Sequence, residues 1–180
     1  MIRRNVESGN PRAIGQLGSC YNNGNLGLVP SLKKAAQLYQ RAADLGDVMA
    51  ICNLGIFYRS GRGVKLDKKK AVKYFRMAAD RGNASAQFNL GNSFHDGHGV
   101  AQDQAEAHRY NKMAADQGFT HAEFNLGNHY YRKGHLTEAA RWYERAAAKG
   151  HEQAERNLAI LRRPSSYGGV GGHYGGGGDW

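Results

Sequence analysis

The stretch that decides the fold is residues 86–118, AQFNLGNSFHDGHGVAQDQAEAHRYNKMAADQG, which opens with Ala-x-x-x-Leu-Gly and closes with Ala-Ala-x-x-Gly. The opening motif also occurs, once in half-length form, at Ala13, Ala50, Ala122 and Ala154. The Leu-Gly pairs are 37, 36 and 36 residues apart, and the closing Ala-Ala pairs are 36, 36 and 32 apart. A fixed period in this range predicts a solenoid of helical hairpins, a class of protein that more often binds other molecules than transforms them.

Each repeat contains two patterns with helical spacing. In the first half, small or apolar residues recur one turn apart, as at Ala86, Leu90 and Phe94, which predicts a helix A. In the second half, an apolar stripe such as that from Ala71 to Ala79 predicts an amphipathic helix B. Glycine and alanine let the paired helices approach closely. We expect nine helices between about residue 12 and about residue 162.

The predicted helix boundaries carry capping residues. Side chains that can accept from the first free backbone N–H groups precede the B helices at Ser31, Asp67, Asp103 and Thr137, and the A helices at Asp47, Asn83 and Thr120. Asp103 and Glu106 resemble a capping box. Glycines suited to a left-handed helix end follow the B helices at Gly46, Gly82, Gly118 and Gly150.

These motifs together resemble the Sel-1-like repeat (SLR) family, a relative of the tetratricopeptide repeat. The resemblance rests on the Leu-Gly pairs, a following aromatic residue, Gly-x-Gly-Val at 61–64 and 97–100, and the closing Ala-Ala-x-x-Gly, and it covers about residues 10–161. It implies an all-α, right-handed α/α superhelical solenoid of about four hairpins with a C-terminal capping helix. It also implies a role as an adaptor in multiprotein assemblies.

Two repeats depart from the pattern in the turn between their helices. The first has Gly-Asn-Leu-Gly-Leu-Val at residues 24–29, and the fourth is four residues shorter, running Arg-Lys-Gly-His-Leu at 132–136. We expect the curvature of the solenoid to change at the fourth hairpin.

The chain divides into three predicted segments. Residues 1–11 are a remnant of a preceding repeat or an N-terminal extension, residues 12–161 are the solenoid, and residues 162–180 are a glycine- and aromatic-rich tail expected to be disordered. The spacing of Tyr167, Tyr174 and Trp180 suits stacking on RNA bases, although no Arg-Gly-Gly triplet is present. Docking of this tail on a neighbouring subunit is the alternative.

No apolar core typical of a secretory signal lies near Met1, and no stretch is long and apolar enough to span a bilayer. We therefore expect a soluble, intracellular protein without membrane insertion, in either the cytoplasm or an organelle matrix. Cys20 and Cys52 occupy different positions in their repeats and lack metal-ligand spacing. Some SLR proteins have a disulfide between the two helices of a repeat, but neither cysteine has a partner in its own repeat, so both are predicted to be buried free thiols.

The net charge of +10 is concentrated in the second repeat, where nine basic and two acidic residues lie between Arg59 and Arg81. Lys69, Lys73 and Arg76 recur at helical spacing on one face of the second B helix. This basic stripe has two interpretations, a surface for phosphates or an acidic partner and an ordinary solvated face.

No catalytic constellation, metal cluster or cofactor motif stands out, so we expect no catalytic residues, metal or cofactor. His95 and His98 occupy the positions that Arg59 and Arg62 have one repeat earlier, and are interpreted as polar turn residues.

The candidate binding site is a ladder of asparagines. It consists of the residues before the Leu of the A helices and two that follow one turn later, namely Asn53, Asn89, Asn125, Asn157, Asn92 and Asn128. In tetratricopeptide-like superhelices the A helices line the concave groove, where an amide can donate to and accept from the backbone of an extended peptide. Alternatively, each Asn bonds a neighbouring helix and sets the hairpin spacing. Arg59, Tyr131 and Arg156 lie close enough to add charge and stacking.

The sequence thus predicts a non-catalytic scaffold or adaptor that binds a protein partner, an extended peptide or a neighbouring subunit, as part of a larger complex. The alternative is an RNA-associated structural subunit of a ribonucleoprotein, such as an organellar ribosome, using the basic second repeat and the tail. A third class, an enzyme with the penicillin-hydrolysing activity ascribed to some SLR proteins, has no support in these residues.

Overall fold

A computed structural model describes residues 6, 7 and 9–162 of the chain, and residues 9–162 form nine α-helices without a β-strand. The helices are α1 (Pro11–Asn23), α2 (Leu32–Asp44), α3 (Val48–Ser60), α4 (Lys68–Ala79), α5 (Ala84–Asp96), α6 (Gln104–Asp116), α7 (Thr120–Arg132), α8 (Leu136–Ala147) and α9 (Glu152–Arg162). The predicted all-α solenoid with nine helices is confirmed.

The helices pair into four hairpins, α1 with α2, α3 with α4, α5 with α6 and α7 with α8, and each hairpin packs on the next. The single helix α9 packs on α8 through Ala154 and Leu158 and so covers the fourth hairpin. The core consists of four clusters of buried side chains, one at each junction between successive hairpins or between the last hairpin and α9.

The helices of a hairpin approach closely at the glycine of the Leu-Gly pair. A Cβ added to Gly55 would lie 2.7 Å from the ring of Phe75, which is fully buried on α4. Gly18 meets Tyr39 in the same way, with 3.0 Å between the added Cβ and the ring. Glycine is therefore required at these positions because the aromatic side chain of helix B occupies the place of a Cβ on helix A.

In the second and third hairpins, the Gly-x-Gly turn packs against the preceding hairpin. Gly63 and Gly99 have φ angles of +67° and +81°, and a Cβ on either would collide with the backbone at the start of the preceding B helix, at Leu32 and Lys68. The next residues, Val64 and Val100, pack against the core clusters. The turn thus closes the edge of the junction between two hairpins.

Most predicted caps form. The side chains of Ser31, Asp47, Asp67, Asn83 and Asp103 each accept from a backbone N–H in the first turn of the following helix. The four predicted glycines after the B helices all have left-handed φ angles. The capping box is only half formed, since the carboxylate of Glu106 accepts from Arg109.

Two predicted caps are wrong. The repeat register places Phe119, not Thr120, at the N-cap of α7, so that Thr120 is the first helical residue. The short fourth turn lets α8 begin at Leu136, so Thr137 lies inside the helix and His135 occupies the cap position. Neither N-cap residue provides a side-chain hydrogen bond.

The two unusual turns differ in conformation. The first contains a 3₁₀ turn at Asn25–Gly27 in which Leu26 has a φ of +61°, a left-handed conformation that is rare for leucine. In the fourth, no atom lies within 4 Å of the position of a Cβ on Gly134. This turn therefore lacks the close contact that Gly63 and Gly99 make with the preceding hairpin.

The predicted remnant at residues 1–11 lies largely outside the described residues, and the tail, with Tyr167, Tyr174 and Trp180, lies outside them from residue 163 onward. Within the described part, Cys20 and Cys52 are free thiols; Cys52 is buried as predicted and burial raises its pKa, whereas Cys20 is only half-buried. None of the described helices is both long and apolar enough to cross a membrane.

Candidate binding groove

The six ladder asparagines all line depressions along the solenoid, formed by A-helix residues and, in three of the four, by B-helix residues as well. Asn53 lines a depression between the first two hairpins, Asn89 and Asn92 line the next, and Asn92, Asn125 and Asn128 line the third. Asn128 and Asn157 line the last. We call this row of depressions the groove.

Within the groove, the amides bond from repeat to repeat. The Asn125 side chain donates to Asn92 over 3.2 Å, and Asn157 donates to Asn128 over 3.4 Å. The second repeat has Ile56 at the position of Asn92, and there Arg59 reaches the next hairpin instead, donating to Asn89 over 2.6 Å. The ladder therefore joins neighbouring hairpins.

Asparagine retains hydrogen-bonding capacity after one such bond, because its amide has two donor hydrogens and two acceptor lone pairs. Asn89 is buried and uses both ends of its amide, since it also donates to the backbone carbonyl of Ser85. Asn92 accepts from Asn125 through its oxygen, its amide nitrogen makes no hydrogen bond to the described residues, and the residue lines two of the groove depressions. Spacing of hairpins and contact with a partner are therefore compatible roles.

The depression between the third and fourth hairpins has a volume of about 530 Å³, and we call it the junction pocket. The fully buried cluster at this junction consists of three alanines and Leu126, and partly buried aromatic residues, Phe88, Phe119 and Trp142, pack against it. Lining residues come from α5, α6 and α7, and they include five side-chain amides and three histidines, at Asn92, Gln104, Asn111, Asn125, Asn128, His95, His108 and His129.

Asn111 contributes to the junction pocket by replacing an aromatic residue. Its position on helix B is that of Tyr39, Phe75 and Tyr143 in the other repeats, each of which packs against the glycine of its Leu-Gly pair. Asn111 is buried, donates to the carbonyl of Ala107 over 2.9 Å and accepts from Asn125 over 3.4 Å. An amide is smaller than a phenyl ring, so space remains.

Two histidines pack together in the same pocket. The rings of His108 on α6 and His129 on α7 have centroids 4.2 Å apart. The Nδ1 atom of His108 is buried and has no hydrogen-bond partner among the described residues. Burial, followed by Lys133 and Lys112, lowers the pKa of His108. Burial, followed by His108 and the nearby cations, lowers the pKa of His129 to about 4.

The candidate site predicted from the sequence does not include Asn111, His108 or His129. Alignment of the four B helices with one another contains the signal, because Asn111 stands among aromatic residues and His108 stands where Ala36, Val72 and Ala140 occur. The contact between the histidines joins two repeats, so it depends on the packing of hairpins.

Glu123 is a second polar residue in an apolar register. It is fully buried on α7, where the earlier repeats have Ile14, Ile51 and Gln87. Its carboxylate accepts from Arg145 over 3.0 Å and from Lys149 over 2.8 Å, and both cations also bond backbone carbonyls. This cluster connects α7 to the end of α8 and serves packing.

The basic stripe lies on the exposed side of α4. Lys69, Lys73 and Arg76 are all exposed, and the Arg76 guanidinium lies over the Phe94 ring, 5.6 Å from its centroid. Of the two turn histidines, His98 is exposed, whereas His95 lies at the end of α5, lines the junction pocket and bonds Gln104. The described residues contain no group of three or more His, Cys, Asp or Glu side chains placed to bind a metal.

Comparison with known proteins identifies the class. The model of the Sel1 repeat matches residues 11–47, 48–83, 84–119 and 120–151, so the chain belongs to the Sel1 repeat family. A search of curated proteins found no match. A protective antigen present in uropathogenic Escherichia coli strains, displaying an SLR fold, is 36% identical with a TM-score of 0.79 over 89% of this chain.

Two further solved structures are similar. A Sel1 repeat protein from Oxalobacter formigenes is 30% identical with a TM-score of 0.78 over 85% of this chain, and an immunity protein from Pseudomonas aeruginosa is 26% identical with a TM-score of 0.61 over 85%. The chain spans 35%, 64% and 58% of the three relatives' lengths, in the order given. Sel1 repeat proteins are generally protein-interaction scaffolds and typically non-catalytic.

Proposed function

We propose that this protein is a non-catalytic scaffold or adaptor that holds a segment of a protein partner along the groove, as a subunit of a larger assembly. The observation that carries the proposal is the row of asparagine-lined depressions, which recurs from the first junction between hairpins to α9. Amide side chains at regular intervals suit an extended peptide, whose backbone offers a donor and an acceptor at every residue.

The flanking residues support the same use of the groove. Tyr131 is 48% exposed and lines both the junction pocket and the depression beside α9, where its ring is available for packing on a partner. Arg59 and Arg156 are exposed, with Arg59 bonded to Asn89 and Arg156 paired with Glu152. The groove thus combines polar rungs with an exposed aromatic side chain, as binding surfaces commonly do.

Site-specific photocrosslinking in cells tests the proposal. A photoreactive phenylalanine replaces Tyr131 in the groove or, as the control, Lys73 on the outer face of α4. We expect the groove position to form a crosslink to a defined partner, identified by mass spectrometry, and the Lys73 position to form none to that partner. The opposite result, with the partner captured only from Lys73, would reject the groove as the binding surface.

The identified partner then allows a quantitative test. We expect Asn53→Ala with Asn92→Ala to weaken its binding by about 1–3 kcal/mol, because buried hydrogen bonds to the partner are lost. Asn53 makes no side-chain hydrogen bond to the described residues, and Asn92→Ala removes only the 3.2 Å bond from Asn125, so we expect helicity to be retained. Asn89→Ala is the structural control, since it removes bonds to Arg59 and Ser85 and is expected to reduce stability. Reduced helicity with unchanged affinity in the double variant would assign these residues to hairpin spacing alone.

RNA binding through the basic stripe is tested with the same protein. Filter binding of a labelled RNA to the unmodified chain and to a Lys69→Glu, Lys73→Glu, Arg76→Glu variant distinguishes the two classes. RNA association that disappears in the triple variant and falls steeply with added salt, through counterion release, would support the ribonucleoprotein alternative. We expect partner capture at Tyr131 to be unchanged by these three substitutions.

A further inference from the structure

We propose that the junction pocket is a specificity site that receives an acidic side chain, Asp or Glu, of the partner segment held in the groove. The inference rests on the proposed function and adds the chemistry of one contact. It is based on three departures from the repeat that occur together at this junction: the short fourth turn, Asn111 and His108.

The short turn opens the edge of the pocket. At the two preceding junctions, Gly63 and Gly99 bring the turn against the start of the preceding B helix, and a valine then packs on the core. The fourth turn has neither the second glycine nor the valine, and Gly134 has no neighbour within 4 Å of its Cβ position. Gln104 at the start of α6 lines the junction pocket, and no contact of Gly134 covers it as Gly99 covers the backbone of Lys68 one junction earlier.

Asn111 and His108 make the interior polar as well as spacious. The other repeats pack this part of helix B with apolar side chains. They have an aromatic residue at the position of Asn111, and Ala or Val at the position of His108. Packing alone therefore does not require Asn or His here. The chain instead buries an amide and leaves His108 Nδ1 without a partner among described residues. An unsatisfied buried polar atom costs free energy, so a ligand that bonds it gains correspondingly.

The charges around the pocket select an anion. Among the described residues that line it, none is acidic, and Arg132 stands at its rim at the end of α7. The groups whose charges act on the two histidines are Lys112 on α6, Arg132, and the turn residues Lys133 and His135. His95 faces the pocket from α5, and Tyr130 packs edge-on against both rings.

A carboxylate fits this site better than a neutral group. It accepts from asparagine N–H groups and from a histidine N–H, and these bonds are stronger when the histidine is protonated. Without ligand the histidines are held neutral near pH 7 by burial and by surrounding cations. A bound carboxylate opposes both effects, so a proton is taken up on binding. Affinity therefore rises as the pH falls from about 8 towards about 6, above the range in which the carboxylate itself is protonated.

Fluorescence anisotropy with a labelled, C-terminally amidated peptide of alternating Glu and Ser tests the proposal on the full chain. The control peptide has Gln in place of Glu. We expect the Glu peptide to bind about tenfold more tightly at about pH 6 than at about pH 8, and more tightly than the Gln peptide at both. Calorimetry in two buffers of different ionisation enthalpy should show net proton uptake.

Two variants copy residues of the second repeat into the third. Asn111→Phe introduces the ring of Phe75 and fills the pocket, and His108→Val introduces Val72. We expect each to weaken the Glu peptide about tenfold or more and to remove the pH dependence, because the N–H donors are lost. His121→Ser is the matched control, since His121 is exposed and lines neither the junction pocket nor the other depressions of the groove. Helicity and urea midpoints identify any variant that fails to fold. If Asn111→Phe fails to fold, the affinity of His108→Val, the smaller change, tests the proposal.

Three results would overturn the proposal. The first is equal affinity for the Glu peptide at the two pH values. The second is full affinity for the Glu peptide in both His108→Val and a folded Asn111→Phe variant. The third is displacement of the Glu peptide by polyuridine, with tighter binding of the RNA than of the peptide. Failure here is distinguishable from failure of the proposed function. If a partner crosslinks at Tyr131 and binds both pocket variants normally, the groove is the binding surface and the junction pocket does not take its carboxylate.

Discussion

The close approach of helices within a hairpin makes a sharp prediction for Gly55→Ala. The added Cβ would lie 2.7 Å from two atoms of the Phe75 ring and 3.3 Å from the carbonyl oxygen of Ala71. Carbon atoms in contact prefer about 3.5–4.0 Å, and Phe75 is fully buried, so the ring cannot swing into solvent. The two helices must therefore separate.

The expected cost follows from two opposing effects. Overpacking costs about 1–3 kcal/mol, and alanine in place of glycine within a helix recovers about 1 kcal/mol. We expect the free energy of unfolding to fall by up to about 2 kcal/mol, measured by urea denaturation and far-UV circular dichroism.

Gly15→Ala is the matched control, because this glycine is also buried within an A helix. Its added Cβ has the Asp47 carboxylate oxygen at 3.3 Å and alanine methyl groups at 3.6 and 3.7 Å. These neighbours need only a small adjustment, so the helix-propensity gain of up to about 1 kcal/mol should dominate. If Gly55→Ala is as stable as Gly15→Ala or more stable, the tight packing of A on B helices is refuted.

Three further predictions concern the ends of the solenoid and its polar residues. Glu123→Lys should lower the free energy of unfolding by about 3–5 kcal/mol, because it buries a cation beside Arg145 and Lys149. Glu123→Ile introduces the residue of the first two repeats and should change the free energy of unfolding by less than about 1.5 kcal/mol. Equal urea midpoints for the two variants would contradict this prediction. The folded-state pKa of His129, about 4, lies below the ordinary unfolded value, so the unfolded chain binds more protons between these two pKa values and stability should fall as the pH is lowered through that window. His129→Ser, the residue of the third repeat, should flatten this fall, and an unchanged pH profile would reject the assignment. Solenoid stability is close to a sum of interfaces between neighbouring repeats. Residues 12–45 should therefore show the least protection from hydrogen exchange in a dilute monomer, and deletion of residues 151–161 should destabilise the chain far more than deletion from Pro164 onward. Protection of the first hairpin equal to that of the third would argue against a weak N-terminal end.

The fold was largely predictable because its determinants are local and repeated. Asp67 and Asn83 cap their helices as predicted. An N-cap side chain bonds a backbone N–H three residues later, so its formation depends only on the neighbouring residues in the chain. Thr120 and Thr137 were assigned wrongly because a threonine near a helix start fits more than one register. For Thr137 the short fourth turn moved the helix start, whereas for Thr120 the repeat register of Asp47 and Asn83 already pointed to Phe119.

The candidate site was predictable in part. The Asn ladder follows from helical spacing, and the structure places all six residues along the groove depressions. Their bonding partners did not follow, because Asn125 and Asn92 are 33 residues apart and meet only when two hairpins stack. Use of these amides by a partner stays a prediction.

By itself, the sequence determined the repeat period, the nine helices, most of their caps and the glycines at which paired helices touch, since each depends on neighbours in the chain or on one hairpin folding upon itself. Only the tertiary structure decided which contacts are made by the residues that depart from the repeat pattern. Asn111, His108 and His129 form one pocket, and Glu123 meets Arg145 and Lys149, because stacking brings successive repeats into contact. The offset between hairpins sets those distances, and it results from packing along the whole array, which no single repeat encodes.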